Sequence, residues 1–236
     1  MIRIQLVRYL LDRGQWEAAL RESSTGRTLF PSDFNLDLLA VRSLNQLGRW
    51  AEAIEILNTT HVLPSENARE SHRLYEQAHT LAALDAMEQG TFADARRYLQ
   101  AALEWPEHLG QGRPYEPEER LVRYLLGVAD RRLGDAAAAR AAFEAVVRGT
   151  DRAANTASPL ALLAIPALAA LGRSAELSDR DWDETTGVGR AAAQLTQAVG
   201  DGAKLREVTA RLAADPAAPF TDLDGRLLLQ ALTLTP

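Results

Sequence analysis

Residues 48–54 read Gly48-Arg-Trp50-Ala-Glu-Ala53-Ile54: a glycine, an aromatic residue two positions later, and then an alanine-rich run. The same order, with an aromatic or a small residue after the glycine, occurs three more times, in Gly14-Gln-Trp16-Glu-Ala-Ala19-Leu20, Gly90-Thr-Phe92-Ala-Asp-Ala95-Arg96 and Gly134-Asp-Ala136-Ala-Ala-Ala139-Arg140. A glycine that recurs before a helical run indicates the turn between two antiparallel helices. The repetition therefore predicts a chain built from stacked helical hairpins.

The spacing of these glycines suggests the length of one repeat. Gly14 and Gly48 are 34 residues apart, and the next two intervals are 42 and 44 residues. The additional residues are predicted to lie in two inserted loops, at 58–70 and 105–117. Both segments are rich in Pro, Asn, Gly and Ser, which favours loops over longer helices.

Small and large side chains also recur at fixed distances from each glycine. A small residue follows five positions after every one of them, where it would let two paired helices approach closely: Ala19, Ala53, Ala95 and Ala139. Nine positions after the glycine, three repeats have a large apolar residue and the first has a serine: Ser23, Leu57, Leu99 and Phe143. Over residues 1–150 the chain thus resembles tetratricopeptide repeat (TPR) proteins. The resemblance implies an all-α solenoid of four hairpins that winds into a right-handed superhelix.

The regular pattern weakens in residues 151–236. Alanine- and leucine-rich runs continue there, punctuated by glycines and prolines, but none is in register with the repeat. Gly172 could turn a fifth hairpin, although no aromatic or alanine follows it at the expected positions. We expect irregular C-terminal helices that continue the array and cap its end.

Composition excludes several classes of function. The 236-residue chain has a net charge of −6, which argues against nucleic-acid binding because phosphate contacts need a concentrated basic surface. It contains no cysteine, and no apolar run is long enough for a membrane span. We therefore expect neither a nucleic-acid nor a membrane partner, and a cytoplasmic location if the chain is complete. Counting back from Gly14 places the start of the first repeat before Met1, so we expect a piece of a longer protein.

In TPR proteins the first helix of each hairpin lines a concave groove, which is the usual ligand surface. Five residues at or near the positions that face this groove form our candidate site for a protein or peptide partner: Arg8, Arg42, Asn45, Tyr124 and Arg131. Arg8 and Arg42 occupy the same motif position one repeat apart, so their N–H groups could together hold a peptide carboxylate. The alternative is that these arginines are solvated and pair with nearby acids such as Asp12.

The second inserted loop has a distinctive order of residues. It reads Trp105-Pro-Glu-His-Leu109-Gly110-Gln-Gly112-Arg113-Pro114-Tyr115. This loop and the stretch that begins at Leu63 are similar to the C-terminal TPR region of a large bacterial family of unknown function. The resemblance covers residues 60–150, approximately. In that family a β-rich part similar to sugar-processing enzymes precedes the repeats.

The second resemblance implies an alternative function. The chain would be a structural or substrate-contacting C-terminal region of a larger carbohydrate-related protein, with an upstream β-rich domain as a possible partner. Trp105, Arg113 and Tyr115 are then the candidate contacts. The loop itself is expected to act as a strap packed across the repeat, or as a binding lip, and we favour the strap.

One helical segment has the spacing of a metal site. His72, Glu76 and His79 share one face of a predicted helix, which can place two imidazoles and a carboxylate around one ion. His79 falls on a position that packs into the neighbouring helix, so we favour a structural role.

Two other segments partly match known ligand loops. The run Asp179–Glu184 resembles the first half of a calcium loop, but the sixth position is Glu184 instead of glycine and the twelfth is Arg190 instead of glutamate. Gly187 and Gly189 follow no strand, so we interpret them as a helix start and not as a phosphate loop. Because no catalytic set can be assembled, we predict no enzyme activity, no cofactor and no metal.

Overall fold

The computed structural model describes residues 2–64, 69–152, 158–180 and 182–234. Within those ranges all regular structure is helical, which confirms the predicted all-α class. The α-helices are α1 (Ile2–Asp12), α2 (Trp16–Leu29), α3 (Phe34–Gln46), α4 (Trp50–Thr59), α5 (Arg69–Glu88), α6 (Phe92–Ala102), α7 (Arg120–Arg132), α8 (Ala136–Arg152), α9 (Ala164–Ala170), α10 (Gly187–Ala198), α11 (Gly202–Ala214) and α12 (Leu223–Thr233). Short 3₁₀ helices lie at Glu107–Leu109, Pro159–Leu163 and Ser174–Leu177. No helix of the described chain is long and apolar enough to cross a membrane.

Each of the four recurring glycines closes a turn between two helices. Gly14, Gly48, Gly90 and Gly134 have φ angles of 67°, 70°, 76° and 81°. This is the left-handed region, which glycine enters without the steric penalty of a Cβ atom. Each glycine also donates its N–H to the carbonyl three residues earlier, at 3.0–3.2 Å. The sequence repeat therefore has a local physical cause, the need for a left-handed residue at each helix end.

The chain forms two compact units, Met1–Asp85 with Gln100–Pro117 and Ala86–Leu99 with Glu118–Pro236. In the first unit α1 packs on α2 and α3, and α3 packs on α2 and α4. In the second, α7 pairs with α8, and α9 follows on α8. Further along the chain, in the same unit, α11 packs against both α10 and α12. The predicted division near residue 150 and the right-handed superhelix stay predictions.

The small and large motif positions lie in the cores of these units. Ala19, Ala53 and Ala95 are completely buried, as are Leu57 and Leu99. Because alanine adds only one carbon to the backbone, the paired helix can approach closely, and the large residue one turn later fills the remaining space.

Ser23 departs from the repeat pattern at the position where the other hairpins have a large apolar residue. It is fully buried, and its Oγ donates to the carbonyl oxygen of Ala19 at 2.8 Å. The polar group is therefore satisfied inside its own helix, so its burial leaves no unpaired hydroxyl. Three residues on, α2 contains Gly26, where a Cβ atom would approach Leu36 Cδ2 to 2.8 Å. Helix α2 therefore approaches Leu36 of α3 closely at Gly26.

Two segments whose described residues form no α-helix interrupt the series of hairpins. The first lies between α4 and α5, and residues 65–68 of the predicted 58–70 loop lie outside the described residues. The second lies between α6 and α7 and contains the 3₁₀ helix Glu107–Leu109. Between Gly172 and α10, the described residues form the short 3₁₀ helix Ser174–Leu177 and no α-helix, so Gly172 does not open a regular second helix there.

Candidate peptide-binding surface

Two of the candidate arginines lie on neighbouring helices of the first unit. Arg8 is an exposed residue of α1, and Arg42 is a half-buried residue of α3, which packs against α1. The Nη1 atom of Arg42 lies 3.9 Å from Glu70 Oε1, and the two side chains are 38% and 45% exposed. Among the described residues no carboxylate, including that of Asp12, lies within 4 Å of the Arg8 guanidinium. Both cations are therefore accessible, and the single ion pair is a long, solvated one.

Asn45 lies one turn after Arg42 on α3 but has a different environment. Its side chain is buried, and its Nδ2 donates to the carbonyl oxygen of Leu74 on α5 at 3.0 Å. This bond joins two inner helices of the first unit. Asn45 thus fastens the hairpins to each other and presents no accessible surface to a ligand.

The other two candidates lie in the second unit. Tyr124 on α7 is completely buried, and its O–H donates to the carbonyl oxygen of Leu234, just after α12, at 2.9 Å. Burial raises the pKa of this phenol well above its ordinary value. Arg131 is exposed, and its Nη2 donates to the carbonyl oxygen of Ala170 at the end of α9 at 2.9 Å. The five predicted residues are therefore divided between the two units. Among them, the three arginines are accessible, whereas Asn45 and Tyr124 are buried.

The loop between α6 and α7 (residues 103–117, here called the strap) is fastened to the first unit. Hydrogen bonds hold it at defined points, among them Val62 N–H to His108 O at 2.8 Å, Ser71 Oγ to Leu109 O at 2.7 Å, and His108 Nε2 to Leu57 O at 3.1 Å. Leu109 is also buried against the core of that unit. These bonds connect the strap to both ends of the α4–α5 connection.

The three candidate residues of the strap differ in their surroundings. The indole of Trp105 stacks on the His72 ring, with centroids 3.4 Å apart and an angle of 8° between the planes. Arg113 is exposed, and Tyr115 is 99% exposed. Trp105 therefore anchors the strap, whereas the side chains of Arg113 and Tyr115 are exposed to solvent.

The histidines of the proposed metal spacing have packing roles. His72 contacts Trp105, and its Nε2 lies 3.1 Å from the carbonyl oxygen of Glu104. His79 is buried, with its ring edge-on to Tyr75 at 4.4 Å between centroids. No group of three metal-ligating side chains is assembled anywhere in the described ranges.

The segment that resembles a calcium loop caps a helix. Asp181 lies outside the described residues, and the carboxylate of Asp183 accepts hydrogen bonds from the N–H and the hydroxyl of Thr185 at 3.0 and 2.6 Å. Thr186 then accepts the N–H of Gly189 at 2.9 Å. Helix α10 begins at Gly187, which agrees with the helix start predicted there.

Burial of His79 predicts a pH-dependent stability. Burial lowers the pKa of this imidazole from 6.5 to about 4, so the unfolded chain takes up a proton at a higher pH than the folded one. The contribution of the neutral His79 to the free energy of unfolding is fully present above pH 6.5. It is lost as the pH falls towards 4, by up to about 3 kcal/mol. Urea unfolding at pH 7, 6, 5 and 4.5 measures this loss. In the His79→Phe variant the free energy of unfolding should depend less on pH over that window; an unchanged slope would contradict the assignment.

The arrangement of paired helices around left-handed glycine turns defines a helical-hairpin repeat protein. The sequence profile described as Tetratricopeptide repeat matches residues 4–60 and 80–157, more than half of the chain. The chain therefore belongs to the tetratricopeptide repeat family. No curated protein and no solved structure matches it. Tetratricopeptide repeats generally mediate protein–protein interactions and are generally non-catalytic, which supports a scaffold role.

The C-terminal helices were expected to cap the array, but the sequence did not indicate which helix face they cover. The leucine-rich run at 221–232 predicts a helix, and α12 forms there. Its position against α7 was not predicted, because the contact joins residues 110 positions apart in the chain.

Proposed function

We propose that the chain is a non-catalytic scaffold that binds an acidic protein or peptide segment at the first two hairpins. The observation that supports this most directly is the pair Arg8 and Arg42, at equivalent positions on the packed helices α1 and α3 and both accessible. A peptide carboxylate that replaced Glu70 beside Arg42 would exchange a contact of 3.9 Å for a shorter, charge-assisted hydrogen bond. Because the whole chain has a charge of −6, attraction to an acidic ligand would be local to these side chains.

Charge reversal at Arg42 tests the proposal. The Arg42→Glu variant should bind an acidic ligand about tenfold more weakly, since it loses one guanidinium contact and adds a like charge. A fluorescein-labelled, glutamate-rich octapeptide with a free C-terminal carboxylate is a suitable probe, with binding measured by fluorescence anisotropy at two salt concentrations. Arg8→Glu should act in the same direction.

Arg21→Glu is the matched control, because Arg21 is an exposed residue of α2, the second helix of the first hairpin. It makes the same change in net charge away from the proposed surface. An equal loss of affinity in Arg21→Glu would indicate a nonspecific charge effect, and an unchanged affinity in Arg42→Glu would remove the proposal.

A second candidate function is favoured by the strap. Tyr115, almost fully exposed near the exposed Arg113, belongs to a loop whose 3₁₀ helix, Glu107–Leu109, is hydrogen-bonded to the first unit. Such a side chain is suited to contact another surface. With the resemblance of residues 60–150 to the bacterial family, this supports a role as the structural or substrate-contacting C-terminal region of a carbohydrate-related protein.

Limited proteolysis of the polypeptide encoded by the complete reading frame tests this second candidate. A β-rich domain docked on the strap would protect Arg113 from trypsin, and Tyr115→Ser should restore cleavage there. A reading frame that encodes no β-rich region, or rapid cleavage at Arg113 in the unaltered polypeptide, would exclude that docking.

A further inference from the structure

The inner-face positions of α7 are covered by later segments of the same chain, among them its last helix, α12. Leu121, Tyr124 and Val128 occupy the motif positions that face the ligand groove in this family, and all three are buried. Helix α12 and the 3₁₀ helix Pro159–Leu163 both pack against α7. The surface that a ligand of the fourth hairpin would contact is therefore already occupied.

Two polar contacts hold the C-terminal end of α12 at this surface. The Tyr124 O–H donates to Leu234 O at 2.9 Å, and Gln230 Nε2 donates to Glu88 Oε1 at 2.7 Å. Glu88 ends α5 and is, like Tyr124, an inner-face position of its hairpin. Both contacts therefore join α12 to groove positions, and the Gln230 contact is exposed to solvent.

Helix α12 has the features of a helical ligand. Seven of its eleven residues are buried, among them Leu228 and Leu232, which are one turn apart. It has its own N-cap, because the carboxylate of Asp222 accepts the N–H of Gly225 at 2.8 Å. The segment that joins it to α11 contains Pro216 and Pro219 and is not helical. An amphipathic helix that places leucines in a hydrophobic groove is a recurrent mode of peptide recognition.

We propose that α12 is an intramolecular ligand of the inner face of α7, and that this face accepts a leucine-rich helix of a protein partner when α12 leaves it. The inference rests on the proposed function in one respect, that the inner faces of the hairpins are ligand surfaces. The partner helix would carry leucines at the spacing of Leu228 and Leu232, a glutamine for Glu88, and a C-terminal carbonyl group for Tyr124. Its affinity is reduced by competition with α12, which is tethered to the same chain.

A covalent link between α12 and α5 tests the exchange in the full chain. The chain has no cysteine, so Glu88→Cys with Gln230→Cys introduces two thiols at side chains that contact each other. The probe is a fluorescein-labelled peptide with the sequence of residues 222–234. It should bind the unlinked double variant, and linking the two thiols with a short bis-maleimide should weaken binding at least tenfold. The same variant treated with N-ethylmaleimide, which blocks both thiols without joining them, should still bind.

A single substitution provides an independent measurement. Gln230→Ala loosens α12 but leaves Glu88 and α7 unchanged for the peptide, which keeps its own glutamine. The full chain with this change should bind the peptide about fivefold more tightly than the unaltered chain. Gln197→Ala, at an exposed residue of α10, removes an amide elsewhere and should leave the affinity unchanged.

Several results would overturn the proposal. Equal binding by linked and N-ethylmaleimide-treated protein would show that the peptide binds elsewhere, and absence of binding to the unlinked variant would show that α12 does not exchange. A cross-linked dimer would mean that α12 of a second copy occupies the groove instead of a partner. The acidic octapeptide and the Arg42→Glu variant report on the first two hairpins separately. If the leucine-rich peptide fails to bind but Arg42→Glu still weakens binding of the acidic octapeptide, the proposed function therefore stands and only the further inference fails.

Discussion

Replacing Phe143 by alanine is expected to lower the free energy of unfolding by about 3–5 kcal/mol. The side chain is 1% exposed, and its ring lies on α7, where a Cβ atom at Gly127 would be only 2.6 Å from Cε1. The Tyr124 ring is also adjacent, with centroids 5.8 Å apart. Because glycine has no side chain to move into the vacated space, the cavity would collapse poorly. Equilibrium unfolding in urea, followed by circular dichroism, measures the loss.

Two further variants make the Phe143 result interpretable. Phe143→Leu retains most of the volume and should cost about 1–1.5 kcal/mol. Arg140→Ala, one turn earlier on the exposed face of α8, should change stability by no more than about 0.5 kcal/mol. A loss of less than about 1 kcal/mol in Phe143→Ala would mean that the ring does not fill the contact between α7 and α8.

Gly110→Ala is expected to destabilise the strap by about 2–4 kcal/mol. Gly110 has a φ of 72°, where any other residue is strained, and a Cβ atom there would lie 2.5 Å from the carbonyl oxygen of Val62. Since that neighbour is backbone, no side-chain rotation can relieve the overlap. The strap would have to shift away, which would weaken the Val62–His108 hydrogen bond. Faster hydrogen exchange at the Val62 amide, together with a lower unfolding midpoint, is the expected observation.

Gly112→Ala is the matched control, since it makes the same change two residues further along the strap. No atom lies within 4 Å of a Cβ added there, and its backbone is not left-handed. Its effect should stay within about 0.5 kcal/mol. If both variants behaved alike, neither the left-handed backbone nor the contact with Val62 would constrain the strap.

The repeats could be predicted from sequence because their causes are local. A left-handed turn residue such as Gly48 and a small residue such as Ala53 lie within a few positions of each other, so the requirement is visible in a short segment. The equivalent placement of Arg8 and Arg42 on their helix faces was also predictable, since it follows from the helical period. Those parts of the candidate surface needed no knowledge of distant contacts.

The burial of Asn45 and Tyr124 could not be predicted from the helical period. The helical period places both near the inner face, as it does Arg42. Later segments bury both side chains and accept their hydrogen bonds: Leu74 O, 29 residues away, accepts the Asn45 amide, and Leu234 O, 110 residues away, accepts the Tyr124 hydroxyl. No local pattern encodes which later segment will pack on a given helix face.

Helix identity, turn positions and the pairing of neighbouring helices follow from side-chain size and backbone freedom within about 40 residues, and the chain's amino acids were sufficient to specify them. The coverage of α7 by α12 and the fastening of the strap at Val62 arise from packing between segments far apart in the chain. Burial depends on which surfaces meet in three dimensions. Which of the candidate residues stay accessible could therefore be identified only from the folded chain.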